Sequence, residues 1–142
     1  VLLSLWYFKK HKIEFYKVGD VIVLPVAFAL ILGRIANFIN GELWGVATNV
    51  DWCVSYNGVC RHPYQLYEAL GRLLSFIILL FFNSKKLKEG TIFWMFILLF
   101  SLSRFVNEFF RDNVKILFNL SGWQFISLAL ILISGYFIYK KN

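Results

Sequence analysis

Four long apolar stretches, residues 21–39, 66–82, 91–110 and 125–139, dominate this 142-residue sequence. Each is close to the roughly 20 residues an α-helix needs to cross the hydrocarbon of a bilayer. Hydrocarbon offers no partner for backbone N–H and C=O groups, so each crossing must satisfy them internally, as a helix does. The expected fold is therefore all-α: a polytopic helical membrane protein with four full transmembrane helices. A composition of 59% hydrophobic and only 16% charged residues agrees, since soluble domains carry about 25% charge. Residues 1–8 are also apolar but too short to cross. They are expected to be the end of a fifth span, which makes residues 1–142 one N-terminally incomplete transmembrane domain.

Basic residues set the orientation. Lys9, Lys10, Lys12 and Lys17 precede the first span, Lys85, Lys86 and Lys88 fill the connection at 83–90, and Lys140 and Lys141 end the chain. Cytoplasmic loops carry such an excess. The three segments alternate correctly with the spans, leaving the loop at about 40–65 and the connection at 112–120 outside. The net charge of +7 is then explained by topology, and a nucleic-acid partner is not expected, because the lysines form no basic groove with stacking aromatics.

The polar residues inside the spans are the candidates for function. Charge near the middle of a spanning helix costs about 2.5–3.5 kcal/mol, so such residues usually face a protein interior or an aqueous cavity. With the orientation fixed, Arg34 and Asn37, Glu68 and Arg72, and Arg104, Asn107 and Glu108 all fall toward the outer side. Arg104, Asn107, Glu108 and Arg111 follow i, i+3, i+4, i+7 spacing, and Tyr64, Glu68 and Arg72 repeat every four residues. Pairing within each helix, Glu68 with Arg72 and Arg104 with Glu108, would neutralise charge but contributes only about 0.2–0.5 kcal/mol per pair. Stability alone does not account for these residues. Arg34 has no acid within one turn, so its counter-charge must be Glu42, Glu68, Glu108 or a ligand, and guanidinium suits a phosphate. Gly33 and Gly41 flank this segment as candidates for close packing, with Gly41 and Gly45 as candidates for a sharp turn or close backbone approach.

Three ordered blocks now carry a resemblance. Gly33-Arg34-Ile35-Ala36-Asn37-Phe38-Ile39-Asn40-Gly41-Glu42-Leu43-Trp44-Gly45 resembles the defining motif of bacterial prolipoprotein diacylglyceryl transferases. Arg61-His62-Pro63-Tyr64-Gln65-Leu66-Tyr67-Glu68 and Arg104-Phe105-Val106-Asn107-Glu108-Phe109-Phe110-Arg111 match in order, with a weaker match at Gly122-Trp123-Gln124. The resemblance implies a multi-pass enzyme of the bacterial inner membrane with its site toward the outer side. Its substrates would be phosphatidylglycerol and the lipobox cysteine of a preprolipoprotein, and no metal or organic cofactor is implied. Arg34, Arg104 and Glu108 are the implied catalytic residues. Arg34, Asn37, Asn40, Glu42, Gly45, His62, Glu68 and Arg104 are the implied substrate contacts. The family carries an upstream His-Gly-Gly segment that lies before this sequence, and a tyrosine often found one turn before the last-block arginine is Phe100 here.

Cys53 and Cys60 lie in the outer loop, where a disulfide can persist; a local bridge and two unpaired thiols both fit. The spacing does not suit zinc. Thr48-Asn49 and Asn57-Gly58 are turn signals in the same loop. Trp44, Trp52, Trp94 and Trp123 read as interfacial or packing aromatics. Two rival functions are a transporter or channel with an arginine- and glutamate-lined anion path, and a scaffold that packs its charged stripe against partner helices.

Overall fold

The computed structural model describes residues 14–141. The fifth span expected from residues 1–8, together with Lys9, Lys10, His11 and Lys12, lies outside the described residues. Within them, α1 (Phe15–Ile39) is followed by a hairpin of β1 (Val54–Tyr56) and β2 (Val59–Arg61), then α2 (Tyr64–Asn83), α3 (Thr91–Asn107), a 3-10 turn (Glu108–Phe110) and α4 (Gly122–Lys141). The four expected spans are all helices long and apolar enough to cross a membrane. Three of them run past their apolar stretches at the ends, where polar side chains reach the interface. The third stops short, at Asn107, because the chain tightens into the 3-10 turn.

Between 17% and 28% of each span is buried. The remainder exposes Val21, Leu74, Leu102 and Leu132, a surface suited to hydrocarbon rather than water. Helix α2 packs on α1 and α3, and α3 also packs on α4. The apolar core, Val23, Ala27, Leu79 and Ile92, sits toward the lysine-bearing end. Close approach of α2 and α3 depends on Gly71, where an added Cβ would strike Ser103 Oγ.

At the lysine-bearing end, Asp20 of α1 caps a different helix. Its two oxygens accept from Gly90 N at 2.6 Å and Phe93 N at 2.8 Å, occupying N–H groups that the first turn of α3 would otherwise leave unpaired.

The opposite end carries the loop. Asn57 and Gly58 both have positive φ, 49° and 77°, as a two-residue type I′ hairpin requires, and the turn pairs Tyr56 with Val59 and Val54 with Arg61. Cys53 and Cys60 form a disulfide, with Cα atoms 5.5 Å apart. The other turn falls at Asp51-Trp52 rather than at Thr48-Asn49, since Thr48 N donates to Cys60 O at 2.9 Å and is held extended beside β2. The first-motif loop threads between two backbones: Val46 N donates to Phe110 O at 2.9 Å, and His62 N donates to Val46 O at 3.1 Å.

Gly45 is fixed by that threading. An added Cβ would lie 2.5 Å from His62 O and 2.8 Å from Phe110 O, both backbone atoms with little freedom to move. Gly33, expected to support close packing, has nothing within 4 Å of an added Cβ, because it faces outward from α1. Gly45→Ala is therefore expected to lower thermal stability in detergent by about 1–3 kcal/mol, as overpacking does. Gly33→Ala should instead raise it by about 0.5–1 kcal/mol, through the higher helix propensity of alanine. Equal melting temperatures for the two variants would contradict this assignment.

Candidate functional site

The C-terminal ends of α1 and α3 and the N-terminal ends of α2 and α4 meet beneath the loop. At their centre is Glu68, whose side chain is only 2% exposed. Its Oε2 lies 2.8 Å from Arg34 Nε of α1. Its Oε1 accepts from Arg104 Nη1 of α3 at 3.0 Å and from Arg72 Nη2 of its own helix at 3.4 Å. Arg104 reaches a second carboxylate, with Nε 3.2 Å from Glu108 Oε2. Glu108 is fully buried. Its Oε1 accepts from Ser121 Oγ at 3.1 Å and from Asn113 Nδ2, and lies 3.8 Å from Arg111 Nη1.

Both expected pairings within helices exist, but the shortest contacts to Glu68 come from other helices. Four guanidiniums thus surround two carboxylates, leaving two positive charges in excess. A water-poor setting makes that excess a strong attractor for an anion.

Each expected site residue can now be placed. Of the three acids open to Arg34, Glu68 is its partner. Asn37, with its amide oriented to satisfy both neighbours, accepts from Arg34 Nη1 at 3.2 Å and donates to Gly33 O at 3.3 Å. Asn40 is exposed at the end of α1, where its N–H donates to Ala36 O. The Glu42 side chain is exposed, because Gly41 and Leu43 take positive φ of 68° and 56° and turn it outward. Its backbone carbonyl accepts from Gln65 Nε2, tying the loop to α2. Gly45 shapes the loop as described. Glu108 has the geometry of a positioning carboxylate, enclosed by Arg104, Arg111, Asn113 and Ser121.

Asn107 leaves the stripe on which spacing puts it. Positions i+3 and i+4 are about 100° apart around a helix. Glu108 therefore faces α4, while Asn107 turns to the Gly71 contact and donates to Ser103 Oγ at 3.2 Å.

Two grooves flank the α2–α3 contact. One, of about 400 Å³, lies between α2, α3 and α4 and is lined by Glu68, Arg72, Phe100, Ser103, Arg104 and Trp123, with Ile126 and Leu130 beyond. Arg104 lies 5.6 Å from the Trp123 ring and Arg72 5.6 Å from the Phe100 ring, cation–π contacts that hold both guanidiniums against the groove wall. The other, of about 550 Å³, is lined by Trp52, His62, Tyr67, Leu74, Val106 and Phe110, among others. His62 belongs to this second groove, with Nδ1 3.1 Å from Tyr67 Oη, which accepts from Trp52 Nε1 at 2.7 Å.

The sequence singled out no role for Ser121 and marked Trp123 only as an interfacial or packing aromatic within the weaker match Gly122-Trp123-Gln124. The available signal was Ser121-Gly122-Trp123-Gln124 before an apolar run, which is a helix capping-box pattern.

A sequence model of the family described as prolipoprotein diacylglyceryl transferase matches residues 1–140. Among curated relatives, proteins named phosphatidylglycerol–prolipoprotein diacylglyceryl transferase are 40% identical in Campylobacter curvus, 34% in Aliarcobacter butzleri and 37% in Clostridioides difficile. All three alignments cover 100% of this chain, but 55%, 55% and 58% of the respective relatives. The chain thus spans little more than half the length of the relatives it matches. Across that span, by family match and by identity over its whole length, this chain belongs to the prolipoprotein diacylglyceryl transferase family.

Proposed function

We propose that this chain carries the phosphate-holding part of an enzyme that transfers the diacylglyceryl group of phosphatidylglycerol to the lipobox cysteine of a preprolipoprotein. The observation that carries this reading is the sharing of Glu68 by Arg34 and Arg104, at 2.8 and 3.0 Å, beside a groove whose far wall is apolar. Arg104 lines that groove together with Arg72, and Arg34 stands across Glu68 from them, so a phosphate at Arg104 lies in the field of all three guanidiniums while the acyl chains lie along Ile126 and Leu130.

The reaction fits that charge arrangement. The peptide thiolate attacks the diacylglyceryl carbon bonded to the phosphate oxygen; a C–S bond forms, the C–O bond breaks, and the electron pair leaves on glycerol phosphate. The thiol proton is released. Negative charge grows on the departing phosphate, where fixed cations stabilise it more than the ground state. Glu68 and Glu108 act by holding the arginines in place. Asn37 steadies Arg34, Asn40 and Glu42 belong to the outer rim through which the glycerol or the peptide is handled, Gly45 seats the loop, and His62 acts from the second groove.

The names of the relatives support the two substrates, and the excess of lysine at the other end supports an orientation with the site on the outer side of a bacterial inner membrane and Lys140 and Lys141 in the cytoplasm. The described residues, 14–141, act as one transmembrane unit with the loop at about 40–65 as its outer cap. A transporter is not supported, since the charged cluster sits at one end of the helices and the core toward the other end is Val23, Ala27, Leu79 and Ile92.

The test is a transfer assay with the full-length protein, a lipobox peptide, and vesicles of either phosphatidylglycerol or phosphatidylcholine. Thioether-linked peptide and glycerol phosphate are expected only from phosphatidylglycerol. Folded protein that yields no thioether product would rule the reading out.

A further inference from the structure

The first turn of α4 is a second holder of Arg104. Ser121 N donates to Gln124 Oε1 at 2.8 Å and Gln124 N donates to Ser121 Oγ at 3.4 Å, a reciprocal box that satisfies the helix start by itself. The Ser121 hydroxyl proton is not needed for capping. It is donated to Glu108 Oε1 at 3.1 Å. Ser121 and Gln124 are buried, at 2% and 0% exposure, so water does not compete for these bonds. Gln124 Nε2 also donates to Phe105 O at 3.4 Å, fastening the turn to the residue after Arg104.

Two consequences meet at one guanidinium. With Oε1 of Glu108 engaged by Ser121 and Asn113, Oε2 is the oxygen that faces Arg104 Nε at 3.2 Å. The same turn sets the Trp123 ring 5.6 Å from Arg104 Cζ. Arg104 is thereby held from behind by a carboxylate and from one side by an indole, both set in part by residues 121–124 at the start of α4. The nitrogen left for the groove is in the guanidinium fork that already contacts Glu68.

We propose that Ser121 is a positioning residue for Arg104: its hydroxyl orients Glu108, and the capping turn it builds presents Trp123, so that Arg104 meets the lipid phosphate in a fixed geometry. This rests on the transferase reading above. Ser121 touches neither substrate, and its effect is transmitted through Glu108 and Trp123.

Three variants of the full-length protein separate positioning from simple helix capping. Ser121→Thr keeps both cap and donor. Ser121→Asp keeps a good cap but puts a second carboxylate against Glu108, and Ser121→Ala removes both functions. The readouts are selectivity for spin-labelled phosphatidylglycerol over spin-labelled phosphatidylcholine, kcat of transfer, and thermal stability. Ser121→Thr should stay within about twofold of wild type. Ser121→Ala and Ser121→Asp should each lose about tenfold in headgroup selectivity and in kcat, the effect of one hydrogen bond to a charged group. The KM for the lipobox peptide should not change. Wild-type selectivity and kcat in folded Ser121→Asp would overturn the proposal, as would a Ser121→Thr variant as impaired as Ser121→Ala. Absence of transfer by the wild type would count against the transferase reading instead, and the selectivity measurement would still decide the role of Ser121.

Discussion

Glu68→Gln is expected to reduce transfer below about 1% of wild type and to lower stability by about 3–5 kcal/mol, the range for breaking a buried ionic contact by removing one partner. Glutamine keeps the shape of the side chain, so a change must be read as loss of charge. Arg34, Arg72 and Arg104 all lie within 3.4 Å of the Glu68 carboxylate, and at 2% exposure little water is present to replace it. Three guanidiniums would then face one another with only Glu108, already shared by Arg104 and Arg111, to offset them. Glu42→Gln is the matched control. Its side chain is exposed, so its stability should stay within about 0.5 kcal/mol of wild type. Thermal unfolding in detergent together with the transfer assay measures both effects. Wild-type melting and wild-type transfer in Glu68→Gln would mean that this carboxylate does not organise the cluster.

Arg34→Ala and Arg104→Ala should each lower kcat by about 10²–10³-fold, the loss typical when one fixed donor to a developing negative charge is removed. Their stability should fall less than that of Glu68→Gln, because either deletion leaves Glu68 with two cations rather than leaving three cations without the carboxylate they share. Lysine at either position restores charge without the forked geometry, so recovery should be partial. The two sites share one carboxylate, so their effects should not add. A coupling of about 0.5–3 kcal/mol is expected between them in a double-mutant cycle. Strict additivity would show that the two arginines act on separate ligands. An unchanged kcat in folded Arg34→Ala would remove it from the site.

The site was partly legible before any coordinates. Arg34, Glu68, Arg104 and Glu108 stand out because charge in a spanning helix is costly, and counting residues from each membrane face puts all four at one depth. The pairing was not legible, since Glu42, Glu68 and Glu108 were equally open to Arg34. What excluded Glu42 is the positive φ at Gly41 and Leu43, which turns its side chain outward. Asn107 and His62 are instructive in the same way. Each sits in a matching block, yet the Gly71 contact draws Asn107 to the far flank of α3, and the hydrogen bond with Tyr67 keeps His62 in the second groove.

Hydropathy, span length and lysine placement determined from sequence that residues 14–141 hold four membrane-spanning helices with their intramembrane charges gathered at the end opposite the lysines, because transfer free energy depends on residue type and depth alone. Helix rotation, by contrast, depends on which side chains interlock across an interface. Only the tertiary structure decided that Gly71 seats against Ser103, that Glu68 is the shared partner of Arg34 and Arg104, and that the first turn of α4 closes around Glu108.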